Sequence, residues 1–453
     1  MKKICSLFAA TLFSVALAAQ NPIIQTLYTP DPAPYVHGDT VYLFVDHDED
    51  DALYFKMKDW LLYSTTDMVN WTYRGTPLST ETFQWARQGD NAWAAQAVER
   101  NGKWYWYVCA EDTTMHLHGL GVAVADRPEG PYKDALGKPL VPGAWGFIDP
   151  SVFIDDDGQA YLFWGNNGLW YAKLNDDMIS LGSEIMPVKG LEDPEAFGPL
   201  VMKMDYQLGK EKLKTGYEEG PWVTKRNGLY YLVYAAGGVP EHLAYSTSRS
   251  INGPWKYEGR IMDEAENSFT IHAGSIEFKG RNFMFYHNGT AVNGGGFRRS
   301  TAIEEFSYTA DGKIPFIPFT REGVRTPVSH LNPYERVEAE TMADSYGLKT
   351  DRRTGGNHHY VTSIHNGDWM RLRSVDFGKE GAKRLLASVM KVQDTGATIE
   401  FHAAGQILAV VPVCRAGELT VEIQQQLTGV HDLFILFRGG DGELFDFDWW
   451  QVE

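Results

Sequence analysis

Cysteine is scarce. The 453-residue chain has 3, at positions 5, 109 and 414, so it offers no disulfide framework of the kind that staples small secreted domains. Nor do these cysteines fall at metal-ligand spacing. Long apolar runs are equally rare: the one from Ile4 to Ala18 is too short to span a bilayer comfortably, and membrane insertion is not expected. Basic charge is in deficit, with 41 Lys and Arg against 59 Asp and Glu for a formal charge of -18. A surface of that sign repels phosphate backbones and anionic lipid, which argues against a nucleic-acid partner. What the chain has in quantity is rings, 14 Trp, 23 Tyr and 23 Phe, beside 45 Gly. That mixture suits twisted sheets, tight turns and ring-lined binding surfaces, and disfavours helical bundles.

Lys2 and Lys3 precede the apolar run, which closes on small residues around Ala16, Leu17 and Ala18. This is the pattern of a cleaved secretory signal over 1–18, so a soluble exported protein, periplasmic or extracellular, is expected. Cleavage would remove Cys5 and leave Cys109 and Cys414, in different domains, as buried apolar thiols.

A repeat organises the next three hundred residues. Tyr28 to Phe44 and Phe147 to Phe163 share an Asp-Pro, a short apolar strand, a Gly-containing turn and a second aromatic strand. The frame recurs at Trp93 to Tyr107, Glu219 to Val233 and His272 to His287. Each hairpin turn supplies the positive backbone angle that a tight connection requires. A second frame follows at Leu62 to Trp71, Val122 to Tyr132 and Leu243 to Trp255, which predicts four strands per unit. Five such sheets arranged radially make a five-bladed β-propeller.

In a propeller the first strand of each blade lines the central channel. The equivalent positions at its mouth are Asp31, Trp93, Asp149, Glu219 and His272. One acid before a proline is an ordinary turn cap. Three blade-equivalent acids aimed at one axis suit acid and base work on a neutral sugar. Glycoside cleavage needs one protonated carboxyl for the departing oxygen and one carboxylate to activate water or attack carbon. A third acid raises the donor's pKa by like-charge repulsion. Carboxylates on opposite sides of a channel leave room for water between them, which favours inversion.

The run of Asp31-Pro-Ala-Pro, Asp149-Pro-Ser-Val-Phe and Glu219-Gly-Pro-Trp resembles glycoside hydrolase family 43 over residues 21 to 325. The strings Asp59 to Trp71 and Phe283 to Gly289 look most like its arabinofuranohydrolase and xylosidase branch. The resemblance implies inverting hydrolysis, with Asp31 as general base, Glu219 as general acid and Asp149 tuning and orienting that acid. It implies that Arg299 contacts substrate and that Trp93 forms a sugar-stacking wall. His272, grouped with the substrate-binding residues, and His287 either hold a second, channel-centred calcium through water or are satisfied core histidines.

Arg321 to Pro333 carries Gly323, Pro327 and Pro333 and reads as a linker. The expected boundaries are a propeller over 19–325, a linker over 326–333 and a second domain over 334–453. Alternating segments at Tyr334 to Glu340, Arg384 to Met390, Ala397 to His402 and Gly429 to Phe437 predict a β-sandwich of jelly-roll type. The strings Glu338-Ala-Glu340, Asn366 to Met370, Gly429 to Leu433 and Phe445 to Trp450 resemble carbohydrate-binding module family 6. That resemblance implies a structural calcium held by Glu338, Glu340 and Asp448, whose hard oxygens suit the ion. It also implies a sugar-stacking ring at Tyr360, although Arg415 to Glu418 lacks the second ring and Asp446 replaces an Asn.

The expected protein is an all-β exported hydrolase needing no organic cofactor. It removes α-L-arabinofuranosyl groups, and on one reading β-xylosyl groups, from plant cell-wall arabinoxylan or xylan. A β-xylosidase, an arabinan-cleaving enzyme and a noncatalytic sugar-binding propeller are the alternatives.

Overall fold

The computed structural model describes residues 20–205, 210–352 and 358–453. The signal segment expected over 1–18 lies outside them. Aromatic and aliphatic runs form antiparallel sheets that succeed one another along the chain. The first blade holds Ala33–His37, Thr40–Asp46, Asp59–Thr65 and Trp71–Ser79. The second holds Trp93–Arg100, Lys103–Asp112, Leu117–Ala125 and Lys133–Asp134, and the third Ser151–Ile154, Ala160–Trp164, Trp170–Lys173 and Met186–Pro187. Tyr217–Arg226, Leu229–Ala236, His242–Ser248 and Lys256–Met262 make the fourth. The protein is a five-bladed β-propeller followed by a β-sandwich.

The fifth blade departs from the expected four strands, having only Gly274–Phe278, Arg281–Asn288 and Ser300–Phe306. Its outer edge is covered by the irregular segment at the other end of the domain. Ile23 N–H donates to Thr301 O (2.8 Å), and the Asn21 side chain bonds Ile303 through both its amide atoms (3.0 Å each). The ring is thereby closed by joining its beginning to its last blade. A further departure is the hairpin Val201–Asp205 with Lys210–Thr215, inserted between the third and fourth blades.

The turns follow the chemistry of their residues. Asn101-Gly102 and Asn227-Gly228 both take positive φ at each position (56° and 75°, 51° and 69°), the twist that matches a two-residue hairpin connection to its strands. Blades pack through rings: Phe44 meets Trp106 edge-on at 4.7 Å. Trp106 is fully buried, and its truncation to alanine would cost about 3–5 kcal/mol.

In the sandwich, one sheet is ordered Lys349–Arg352, His359–Thr362, Asp446–Val452, Arg384–Met390 and Gly417–Glu422, with Val337–Glu338 also on Asp446–Val452. The other is ordered Asp344–Tyr346, Trp369–Asp376, Val430–Arg438, Thr398–Ala403 and Gln406–Pro412. Phe401, Phe437, Phe447 and Trp450 fill the space between them. The strand expected from Tyr334 to Glu340 is only Val337–Glu338, because the chain then crosses to the propeller. Thr341–Met342 pairs with Trp71 and Thr72 as a fifth strand of the first blade. The two domains thus share a sheet. Asn70 and Arg373 exchange two hydrogen bonds of 2.8 Å across the same junction.

Cys109 is a buried thiol, but Cys414 is exposed; it lies just beyond Gln406–Pro412, where the chain leaves the sheet. Among the described residues no helix is long and apolar enough to cross a membrane.

Candidate active site

One cavity of about 500 Å³ is lined by Asp31, Trp93, Asp149, Glu219 and His272, the five blade-equivalent residues, together with Arg299. Asp31 and Asp149 occupy the same place in the repeat and share a left-handed backbone (φ 55° and 59°), a conformation Asp tolerates better than most residues. This shared kink delivers each carboxyl from a strand start to the cavity.

Arg299 organises the Asp31 side. Its Nε and Nη2 fork onto Asp48 Oδ2 and Oδ1 (3.0 and 3.1 Å), while Nη1 and Nη2 each lie 3.5 Å from an Asp31 oxygen. Nη1 also donates to Thr270 Oγ1 (3.2 Å), and the guanidinium stacks over Phe55 (4.9 Å). Burial opposes ionisation of Asp31, but the Arg299 guanidinium beside it outweighs that and holds its carboxyl well below the usual carboxylate range.

His287 is fully buried and both its nitrogens are committed. Nδ1 accepts from Asp31 N–H (3.2 Å), and Nε2 faces Thr270 O (3.0 Å) and Oγ1 (3.1 Å). These hydrogen bonds make it a neutral imidazole, and burial and the neighbouring Arg299 lower its pKa. His272 Nδ1 lies 3.7 Å from Asp31 Oδ1, and burial takes its pKa down to about 4.

Glu219 is set the opposite way. Burial raises its pKa and the Asp31 charge adds to the rise, against the hydrogen bond that Asn166 Nδ2 donates to its Oε2 (2.5 Å). Asp149 is raised well above the carboxylate range by burial and then by Glu219 and Asp31, while its Oδ2 accepts from Gly220 N–H (3.0 Å). That bond fixes the backbone beside Glu219. The strand is irregular between Tyr217 and Trp222, so adjacent residues turn to different partners. Glu219 meets Asn166, whereas Glu218 pairs with Lys203 of the inserted hairpin.

Several members of the site stand outside the repeat frame. Glu241 is buried beside Glu219, accepts from Ile271 N–H (2.9 Å), and is raised well above its ordinary pKa by burial and by Glu219. Burial brings Lys203 down to about 8. Trp93 lines the cavity with one ring face stacked on His118 (4.1 Å) and its Nε1 donating to Phe55 O (3.2 Å). Trp145, Met202 and Val239 are exposed on the cavity lining. Of these, only an aromatic such as Trp145 carries any signal in sequence.

The sandwich alters one expectation. Tyr360 is 5% exposed, and Lys391 Nζ lies over its ring (4.7 Å) while bonding its hydroxyl (3.2 Å) and Asp446 (2.7 Å). The ring therefore has no open face for a sugar. Among the described residues no three His, Cys, Asp or Glu side chains are gathered as a metal-holding group. Even so, Glu340 Oε2 is buried without a hydrogen-bond partner, and burial followed by the charges of Glu338 and Asp448 pushes Glu340 up to about 8. His358 and Arg336 sit 2.7 and 3.6 Å from Asp448 Oδ1. The donor chemistry fits a hard divalent cation.

A carboxyl kept ionised by Arg299 and a buried carboxyl whose pKa is raised, in one aromatic-walled propeller cavity, are the pair that defines a glycoside hydrolase. Residues 19–314 match the model of glycosyl hydrolases family 43, and residues 338–453 that of carbohydrate binding module family 6. The chain belongs to glycosyl hydrolases family 43. It is 31% identical to an arabinoxylan arabinofuranohydrolase of Bacillus subtilis over 98% of this chain and 95% of that one. A xylosidase/arabinosidase of Humicola insolens is 31% identical over 65% of this chain and 98% of its own. The crystal structure of a family 43 arabinoxylan arabinofuranohydrolase from Bacillus subtilis with cellotetraose superposes at a TM-score of 0.78, with 28% identity, covering 96% of this chain and 98% of that one.

Proposed function

We propose that the protein is an exported enzyme that removes α-L-arabinofuranosyl groups from arabinoxylan-type hemicellulose with inversion. Glu219 gives its proton to the glycosidic oxygen as that bond breaks. Asp31 takes a proton from the water that attacks the sugar's anomeric carbon from the opposite side. Asp149 holds the backbone beside Glu219 through Gly220 N–H and, whenever it is ionised, helps Glu219 retain its proton by like-charge repulsion. Arg299 and His272 face the sugar hydroxyls, and Trp93 offers a ring wall. The observation that carries this reading is the opposed electrostatic setting of Asp31 and Glu219 within one cavity. The exposed Trp145, Met202 and Val239 at that cavity support a polymeric main chain outside it. The names of the relatives support the arabinoxylan substrate. The amino-terminal pattern of Lys2, Lys3 and the short apolar run supports export.

Calcium in the sandwich is part of the same proposal, with Glu338, Glu340 and Asp448 as its ligands, supported by the unpartnered buried oxygen of Glu340. Bound there, it would neutralise the acidic trio and tie the start of the sandwich to its last strand.

The test assays wild type and Glu219→Ala on nitrophenyl α-L-arabinofuranoside, nitrophenyl β-xyloside, arabinoxylan and linear arabinan. Arabinose release from arabinoxylan by wild type, with a loss of about 10²-fold or more in the variant, is expected. Release of xylose alone, preference for arabinan, or a fully active variant would overturn the assignment.

A further inference from the structure

Asp46 ends the second strand of the first blade, and its N–H donates to Pro30 O (3.2 Å), immediately before Asp31. Its side chain is 0% exposed, and among the described residues no donor reaches either carboxyl oxygen. The Asp46 carboxyl lies within side-chain hydrogen-bonding reach of Asp31. All the donor contacts of Arg299 nearby go elsewhere, to Asp48, Asp31 and Thr270. His287 is neutral by its hydrogen bonds and gives nothing to Asp46.

The charge count then decides the protonation state. If ionised, Asp46 would join Asp31 and Asp48 as three buried negative charges around the single guanidinium of Arg299. Asp149, Glu219 and the buried thiol of Cys109 face the same region and supply no positive charge; His272, the remaining neighbour, has been driven towards its neutral form. A buried carboxylate with no donor is strongly disfavoured and takes up a proton instead. Once protonated, it has one O–H to give, and the ionised acceptor beside it is Asp31.

We propose that Asp46 is a neutral carboxylic acid whose O–H donates to Asp31, a positioning residue that fixes the orientation of the base and keeps it weakly basic. The assignment rests on Asp31 being the general base. Like Arg299, Asp46 stabilises the ionised form of Asp31, but it does so without adding a charge, and it reaches Asp31 from the blade's own second strand.

The sign of a pH shift separates this from the alternative. Asp46→Asn keeps a donor of the same shape, whereas Asp46→Leu removes it. If Asp46 is a neutral donor, Leu raises the Asp31 pKa. The acidic limb of kcat/KM then moves up by about one pH unit and kcat falls about tenfold or more with KM little changed, while Asn stays within about threefold of wild type. If Asp46 is ionised, both variants remove a like charge and move that limb down. Movement of the limb downward in both, or Asn as damaging as Leu, would overturn the proposal. Circular dichroism and melting temperatures establish that both variants fold. An infrared difference spectrum, wild type minus Asp46→Asn near neutral pH, reads the protonated carboxyl directly and requires no activity. A carboxylic-acid band assigned to Asp46 in a protein inactive on every pentoside would retain the proton on Asp46 and refute the role of Asp31; a carboxylate band alone would refute the proton.

Discussion

The junction between the domains makes a quantitative demand. Asn70 is buried in the first blade, and its side chain donates to Arg373 O and accepts from Arg373 N–H, both at 2.8 Å. Asn70→Ala deletes both junction bonds, together with the bond its Nδ2 gives Asp67 Oδ2 (2.6 Å) within the blade, and leaves a backbone donor and acceptor of the sandwich without partners. At about 1 kcal/mol net for each bond, and more where a group is left unsatisfied, the loss is about 2–4 kcal/mol. Unfolding entropy of about 2.1 cal/mol/K per residue gives roughly 0.9 kcal/mol/K for a chain of this size, so the melting temperature should fall by about 3 °C. The shared sheet through Thr341–Met342 and the further bonds of Arg373 to Gln20, Val324 and Arg325 require that propeller and sandwich melt together. Scanning calorimetry should show one transition for wild type and one, displaced downward, for the variant. Two wild-type transitions of which only one moves, or no displacement at all, would refute the idea that the crossing strand and Asn70 weld the domains.

Glu340 and Lys203 make two further predictions. Glu340 is pushed up to about 8 in the folded protein from an ordinary value of 4.5, so its proton stabilises the fold fully below about pH 4.5 and that contribution is lost as pH rises towards 8. In chelator, the melting temperature should fall across that window by the equivalent of up to about 4 kcal/mol, flattening in Glu340→Gln and recovering with calcium; an equal slope in the variant, or no effect of calcium, would contradict the assignment. Lys203→Met removes the cation that pairs with Glu218 and lies close to Glu219 and Glu241. Glu219 should then hold its proton to higher pH, moving the alkaline limb of kcat/KM upward by up to about one unit; an unmoved limb would show that Lys203 does not act on the acid.

The repeat made much of the site legible because β-strand register is strict. Once Asp31, Trp93, Asp149, Glu219 and His272 fall at one position of five units, the ring brings them to one cavity without any contact being known in advance. Residues that enter from elsewhere carry no such signal. Asp46 sits at the far end of a hairpin, Asn166 in a turn after the third blade's second strand, and Lys203 on a hairpin that breaks the repeat. The fifth blade has one strand fewer than the repeat predicts because ring closure is made by the irregular segment around Asn21 and Ile23, which has no alternation to detect. Thr341–Met342 is too short for periodicity to reveal. Tyr360 illustrates a different limit: an aromatic at a plausible position reads as a sugar platform, but Lys391, 31 positions on, covers it. The exposure of Cys414 has the same origin, since whether a thiol follows the strand inward or leaves it is settled by where the sheet ends.

The central claim is that Asp31 and Glu219 act from opposite sides of the scissile bond by single displacement. It is tested most directly by following the first sugar released from arabinoxylan by proton NMR, before mutarotation. The account predicts that β-arabinofuranose appears first and the α anomer only later. Initial release of the α anomer would contradict it, because retention requires a covalent sugar–enzyme intermediate that this pair of residues, a base and an acid, does not form.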